Sequence, residues 1–482
     1  MKKTLALCAL LAGGCTVGPN YEKPDLPVPP AYRGLEGAPS TAATDLTHWW
    51  SGFQDAELES LIGRALKSNL DLMTAISRVR EARQQEIVAG AAELPQVNAI
   101  GDAAHLHSNS SLLSSLGGGG APAGGSASTN APKGMDVKLY SLGFDASWEI
   151  DIFGGVRRGV EAANDSADAA LWQMRDGEVT LTAEIAADYL SLRATQARLA
   201  ILNAQVARQK DTLALTVAKA RTGFVTELDV SQQRTQTESA QAQIPGLEAQ
   251  ARMMEHAIAI LLAVQPDALA DELEKTAPMP EGPASLPASL PSELLTRRPD
   301  IRAAERQLAA ATADIGVATA DLYPKFNLLG GISLTSNRLS NLLSTDSLGE
   351  LGLGMIQWPI FNAGKTEANI AGKEEERNQA YYAYQKAILG AVQDTEDALV
   401  RTVTDQRRTD ALAAAETSAQ SSAAIALSQY RAGLVTYVNV LTAQTTLLNT
   451  QDQLAQARQQ RAADLVSVYK ALGGGWGAAT EP

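Results

Sequence analysis

Cysteine is nearly absent: two occur in 482 residues, at positions 8 and 15, too few to build a disulfide framework. Histidine is as scarce, with four. His105 and His107 stand two apart on a strand-like stretch, but two ligands without cysteine or a third histidine are weak grounds for metal. His48 and His256 are isolated, and Met253-Met254 has no companions that would suggest copper or silver handling. No Ser/His/Asp grouping and no phosphate-cradling glycine loop appears. The chain therefore reads as a protein with no catalytic residues, no cofactor and no metal. Beyond the first residues there is no run of 18 consecutive apolar side chains, so no membrane helix is available, which leaves a barrel open. Basic charge is in deficit too: the formal net charge is -14, and a chain this acidic is a poor partner for nucleic acid.

The opening MKKTLALCALLAGGC has Lys2 and Lys3, an apolar run from Leu5 to Ala12, and small residues before Cys15. That is the plan of a signal peptide over residues 1–14, with an apolar core too short to span a bilayer. Ala12, Gly13 and Gly14 directly before a cysteine resemble a lipobox, which makes Cys15 the expected lipid attachment site. Ordinary secretion with cleavage at another small residue is the alternative. Cys8 and two positive charges leave with the signal. Thr16 follows the cysteine where an aspartate usually marks inner-membrane retention, so the lipoprotein rule implies the outer membrane. Residues 15–53 read as an extended segment in which His48-Trp49-Trp50 packs against helices.

Two stretches then repeat. RTGFVTELDV begins at Arg221 and RAGLVTYVNV at Arg431, 210 positions apart, and self-similarity at a long period points to a duplicated unit. Before each lies a run without proline, from Val156 to Arg221 and from Lys365 to Arg431. About 66 residues at 1.5 Å each make a rod on the order of 100 Å. After the second stretch, Leu441, Leu448, Ala455, Ala462 and Tyr469 recur every seven positions, the spacing of helices wrapped on neighbours. Gly223 and Gly433 therefore read as the turns of two helical hairpins. Earlier in each copy a helical pattern (Leu58 to Leu94 in the first) stops at Pro95 or Pro324, and alternation takes over. Tyr140, Leu142, Phe144, Ala146, Trp148 and Ile150 fall on one side, and Ser141, Gly143, Asp145, Ser147 and Glu149 on the other. Phe326, Leu328, Ile332 and Leu334 repeat the rule against Lys325, Asn327, Ser333 and Thr335. Gln96 to His107 alternates faintly, and Leu348 to Ile360 reads as slipping register near Ile356. The Gly/Ser/Ala-rich Ser108–Gly134 belongs at an exposed tip.

The resulting plan places a first repeat at 54–265, with a β-hairpin at about 95–150 and a tip at 221–230. A proline-rich connector covers 266–296. The second repeat runs over 297–472, with a hairpin at about 324–360 and a tip at 431–440, and 473–482 form a tail. Four strands with one greasy face cannot close a barrel alone, because eight already enclose only a filled interior. Three chains would supply twelve. The fold class thus reads as an α+β membrane protein: tandem long α-helical hairpins plus four β-strands per chain, twelve in three chains, enough for a closed transmembrane β-barrel with a lumen.

CTVGPNYEKP, the stretch LPSELLTRRPDIRAAERQLAAATADIGVATADLYPKF from Leu290, and the two R-x-G-x-V-T tips resemble the TolC-like outer-membrane efflux factors, nearest the NodT-type lipoprotein branch. The resemblance covers Cys15 to about Leu472. It implies a homotrimer whose 12-stranded transmembrane β-barrel in the outer membrane is continued by a periplasmic α-barrel of the helical hairpins, a passive duct that carries small toxic compounds and performs no chemistry. It also implies a periplasmic adaptor and an inner-membrane transporter of the resistance-nodulation-division type as partners. On the same basis Arg221, Thr222, Gly223, Val225, Arg431, Gly433 and Val435 are expected to dock the adaptor. Asp229, Tyr430, Asn439 and Thr442 would line a periplasmic gate. Where relatives carry acidic residues on the second tip, Asn439 and Thr442 are neutral, which questions closure by charge.

A duct of the same fold serving type I protein secretion is an alternative, and a lipid-tethered coiled-coil scaffold is another that the alternating strands oppose. A duct predicts a trimer in outer-membrane fractions whose electrophoretic migration changes on heating; a scaffold would run unchanged as helical chains.

Overall fold

A computed structural model describes residues 16–35, 40–41, 45–108, 135–283, 285–287 and 291–477. The signal segment, Cys15 and the Gly/Ser/Ala-rich loop 109–134 lie outside the described residues, as do residues 478–482 of the tail. The chain divides into two compact units, each assembled from both repeats: Met1–Glu22, Arg83–Ser166 and Leu308–Gln379 in one, Lys23–Ala82, Ala167–Gln307 and Ala380–Pro482 in the other.

The elements follow the duplicated plan. Helices α1 (Ala56–Ser68) and α2 (Leu70–Ala91) lead to strands β1 (Gln96–Ser108) and β2 (Met135–Ile150). Helix α3 (Gly155–Arg221) follows, then α4 (Glu227–Gln241) and α5 (Ile244–Leu261). The second copy has α6 (Pro291–Arg297), α7 (Pro299–Ala320), β3 (Lys325–Ser336), β4 (Leu348–Gln357), α8 (Lys365–Arg431) and α9 (Tyr437–Ala471). Helices α3 and α8 each run unbroken for 67 residues, as stretches free of proline allow.

In the first unit the strands form one antiparallel sheet in the order β1-β2-β3-β4. Register sets the faces, because directly opposed residues in antiparallel strands share a side. Leu142 pairs with Leu334, Phe144 with Ile332 and Trp148 with Leu328, while Ser141 pairs with Thr335 and Glu149 with Asn327. One face is apolar and the other largely polar. The slip expected near Ile356 does not occur: pairing continues from Leu334↔Leu348 to Phe326↔Ile356 and Lys325↔Gln357. The alternation looked broken because Gly352 and Gly354 occupy the apolar face of β4, with Glu350 opposite Ile332, while Leu351 and Leu353 fall on the polar one. Both hairpins are closed by the same bond: the Trp148 indole donates to the Glu93 carbonyl and the Trp358 indole to that of Leu322, each at 3.0 Å.

In the second unit α1 is seated by Leu58, Leu61, Ile62 and Ala65, all fully buried. Asp55 caps it, accepting from Glu57 and Leu58 N–H, and also accepts the Tyr189 hydroxyl at 2.9 Å. Trp49 stacks on Tyr469 with centroids 5.1 Å apart, so the expected packing of His48-Trp49-Trp50 applies to the tryptophans. The single helix read from Leu58 to Leu94 is instead broken at Asn69. Its side chain accepts from Leu72 N–H and donates to the Leu261 carbonyl, both at 2.9 Å. A short amide that caps the first turn of α2 and at the same time satisfies a distant carbonyl competes successfully with helix continuation. The returning helices differ as well. The first is split into α4 and α5, with Pro245 in the first turn of α5; α9 continues for 35 residues.

Asp464 on α9 is 2 % exposed, and Gln460 donates to its Oδ1 at 3.1 Å. Burial, then hydrogen bonding with Asp405, pushes its carboxyl up to about 6. A folded pKa raised above the unfolded value stabilises at low pH, and that contribution is lost as pH rises through about 6. Asp464→Asn is therefore expected to raise the melting temperature at pH 7–8 and to leave it nearly unchanged near pH 4, by helical circular dichroism in detergent. A larger gain at pH 4 than at pH 8 would contradict the assignment.

Candidate functional site

The two duplicated stretches come together in the second unit, where α3 turns into α4 and α8 into α9. Each turn closes by the same hydrogen bonds. Gly223 N–H donates to Ala220 O and Phe224 N–H to Lys219 O; Gly433 donates to Tyr430 O and Leu434 to Gln429 O. This is the Schellman pattern, and its left-handed position requires φ of +76° and +77° at the glycines. A Cβ at either would meet nothing within 4 Å, so backbone conformation alone selects glycine there.

Below the turns lies a core of Tyr430, Tyr437 and Val440, joined by half-buried Leu215, Val225, Leu427, Val435 and Leu441. Val225 and Val435 thus pack inward, whereas Arg221, Thr222, Arg431, Asn439 and Thr442 are exposed. Tyr430, 2 % exposed, is covered by Lys219. The ammonium lies 4.3 Å from the ring centroid, a cation–π contact, and donates to the Tyr430 carbonyl. The Tyr437 hydroxyl donates to the Gln233 side-chain carbonyl, and burial, with Tyr430 and Asp229 nearby, pushes this phenol well above its ordinary value. Further along, Gln444 donates to Thr212 at 3.3 Å and Gln233 to the Gln209 carbonyl at 3.1 Å. The first of these bonds joins the two hairpins, beside an apolar cluster in which Leu448 packs against Leu202, Val206 and Ala240; the second joins the two legs of the first hairpin.

The tips differ in how the returning helix starts. At the first, Thr226 and Asp229 form a reciprocal capping box: Thr226 N–H donates to the Asp229 carboxylate at 2.9 Å, and Asp229 N–H to the Thr226 hydroxyl at 3.3 Å. At the second, Thr436 makes no side-chain cap to the backbone, and Asn439 donates only weakly to its hydroxyl, at 3.4 Å. The Asp229 carboxylate is therefore committed to its own helix start. What the motif did not single out is the apolar pair each tip exposes, Phe224 with Leu228 and Leu434 with Val438, at 82, 66, 75 and 52 %. Each pair flanks the inward valine, a placement legible only once the turn geometry is known. Among the described residues no group of His, Cys, Asp and Glu is arranged to hold a metal.

Three comparisons bear on this geometry. The family model described as outer membrane efflux protein matches residues 61–264 and 290–474. The pyoverdine export outer membrane protein OpmQ of Pseudomonas aeruginosa is 34% identical over 477 residues, covering 98% of this chain and 96% of that protein. The cation efflux system protein CusC of Escherichia coli is 30% identical over 486 residues, 98% of this chain and 99% of its own length. Among solved structures, the outer-membrane channel OprN superimposes with a TM-score of 0.87 at 31% identity, over 96% of this chain and 100% of that one.

The unequal caps carry an expectation for local stability. Asp229→Ala should speed amide exchange in the first turn of α4 about fivefold, from loss of about 1 kcal/mol of capping. Asn439→Ala should leave the first turn of α9 almost unchanged in the same hydrogen-exchange measurement; equal acceleration at both tips would refute the asymmetry.

Proposed function

The chain belongs to the outer membrane efflux protein family, and from that premise we propose that three copies assemble into one passive duct. Through it, small toxic compounds would be handed from a periplasmic adaptor and an inner-membrane transporter of the resistance-nodulation-division type to the exterior. The observation that carries this reading is the sheet. Among the described residues β1 and β4 each have a neighbour on one side only, and the sheet offers an apolar face to lipid. Hydrocarbon cannot satisfy the free edge amides, so β4 of one copy must meet β1 of the next until the ring closes. Two copies would give a ring filled by its own side chains; three, with four strands each, give a lumen.

The hairpin tips are the adaptor's docking surface in this reading. Arg221, Thr222, Gly223, Arg431 and Gly433 form its polar part, and Phe224, Leu228, Leu434 and Val438 supply apolar contacts that otherwise face water. Val225 and Val435 act beneath, holding the turns. The gate at Asp229, Tyr430, Asn439 and Thr442 closes by packing rather than by a ring of charge, since the one carboxylate caps its own helix. Acylation at Cys15 ties the assembly to the outer membrane as a second anchor.

A strain lacking the gene should become sensitive to toxic compounds and recover with the wild-type chain. Phe224→Ser combined with Leu434→Ser should still form trimers yet fail to restore resistance. Thr222→Cys or Ala432→Cys should crosslink a periplasmic protein in living cells. Full complementation by the double variant, with no crosslink from either cysteine, would defeat the docking assignment.

A further inference from the structure

The sheet itself restricts which residues can meet where two copies join. Its polar face is the hollow one, lined by Asp102, Ser141, Asp145, Ser333 and Leu351, so the apolar face turns outward. Glu350 stands on that outward face, because β4 sets it opposite Ile332, which in turn lies opposite Phe144. It is exposed, and among the described residues nothing pairs with its carboxylate. An acid turned toward hydrocarbon is costly unless a cation answers it. On β1 the same face runs Val97, Ala99, Gly101, Ala103 and His105, with Lys138 of β2 directly opposite His105.

Strand lengths limit how β4 of one copy can lie along β1 of the next. Neighbouring strands are antiparallel throughout, so the first and last of the four run in opposite directions and their joint is antiparallel as well. β4 has 10 residues and β1 has 13, and ten can slide along thirteen in four registers that leave no residue of β4 unpaired. Directly opposed residues share a face, so only two of the four keep the apolar side outward on both strands. One sets Glu350 against Ala103, the other against His105. Within a copy, direct pairing connects Ala99 to Glu350 through Phe144 and Ile332. Arriving next at His105 advances the ring by six residues per copy, from 99 to 105, and by eighteen over three copies. At about 3.3 Å per residue and about 4.8 Å between strands, that stagger tilts the strands by roughly 45°, and the Ala103 register gives roughly 35°. Closed barrels use this range. Geometry admits both registers, and charge separates them.

We propose that Glu350 of each copy pairs with His105 of the next, backed by Lys138 of that same copy, and that this pair fixes the register of the joint. The proposal rests on the three-copy ring above and names the residues each copy lends its neighbour. Strands with a weak pattern are prone to slip, and β4 is weakly patterned, with glycine at positions 349, 352 and 354. A slip of two residues would leave the carboxylate against Ala103 and set His105 against Leu348. One polar pair in an otherwise apolar interface can specify register, as a single buried polar position does in coiled coils. The same register sets Met355 against Ile100 and Gln357 against Asn98 on the polar face.

The test uses the full-length chain in outer-membrane fractions. Met355→Cys with Ile100→Cys should join copies by a disulfide. Met355→Cys with Asn98→Cys should give about a tenth as much or less, because Cα atoms more than about 7 Å apart cannot be bridged. Two strands separate β1 from β4 within one copy, so either bond reports on the joint between copies. Glu350→Lys should lower heat-modifiable trimer about tenfold, since all three joints then set like charges together. His105→Glu alone should lower it likewise, and the two together should restore it to within about twofold of wild type. Crosslinking through Asn98, or through neither position, would overturn the register. Crosslinking through Ile100 without rescue by the double charge reversal would overturn the pair, leaving each charge solvated by itself. Wild type that forms no trimer would instead overturn the three-copy reading, and the pair with it.

Discussion

An amide facing hydrocarbon without a partner costs several kcal/mol, and that constraint governs most of what this chain is. Its sheet has the apolar face a bilayer selects and two outer strands whose edges are open among the described residues. A soluble protein would cover such edges with charges, bulges or a helix. Here β3 and β4 keep one register from Lys325↔Gln357 to Leu334↔Leu348 without a bulge. The edge is left regular, as a strand meant to be joined must be. The four-stranded sheet therefore ends at edges that nothing among the described residues covers.

The helical unit answers a different demand. Its first hairpin is lined by Gln205, Gln209, Thr212, Thr216, Gln233 and Thr237, all buried, and buried Gln444 of the second hairpin reaches them, beside an apolar cluster of Leu202, Val206 and Ala240 with Leu448. Side-chain bonds such as those of Gln444 with Thr212 and Gln233 with Gln209 satisfy part of this lining, and Gln209 Oε1, Gln205 Nε2 and Gln444 Oε1 stay without partners. Polar groups only partly satisfied make a weaker and less committed interface than interlocked aliphatics. Beside the tips the packing is firmer, with Tyr430 under Lys219 and edge to face with Tyr437, so adhesion is concentrated next to the turns.

Much of this was legible in the sequence because duplication writes every signal twice. Gly223 and Gly433 betray the turns, since only glycine reaches that left-handed position without strain, and each sits inside the same ten-residue phrase. Strands β2 and β3 declare themselves by period-two alternation. The misreadings have identifiable physical sources. In β4, glycine on the apolar face removed the contrast that register is read from. At Asn69 the helix breaks through an amide whose partner, Leu261, is 192 positions away, with no proline or glycine to announce it. The exposed Phe224 and Leu434 look like any loop hydrophobes until the Schellman turn shows that the neighbouring valine goes in and they go out. The grip of Arg158 on Val17, Gly18 and Asn20 is equally silent, because its acceptors lie about 140 residues upstream and two of them are backbone carbonyls.

Duplication also makes departures from symmetry informative. Two copies of one unit would be expected to drift neutrally on exposed faces, yet the differences here fall on backbone-determining positions. The first return is capped by Thr226 with Asp229 and then interrupted beside Pro245; the second starts uncapped and runs straight for 35 residues. A capped but jointed helix is anchored at its start and free to bend in its middle. An uncapped, continuous one is loosest at its first turn and stiff beyond it.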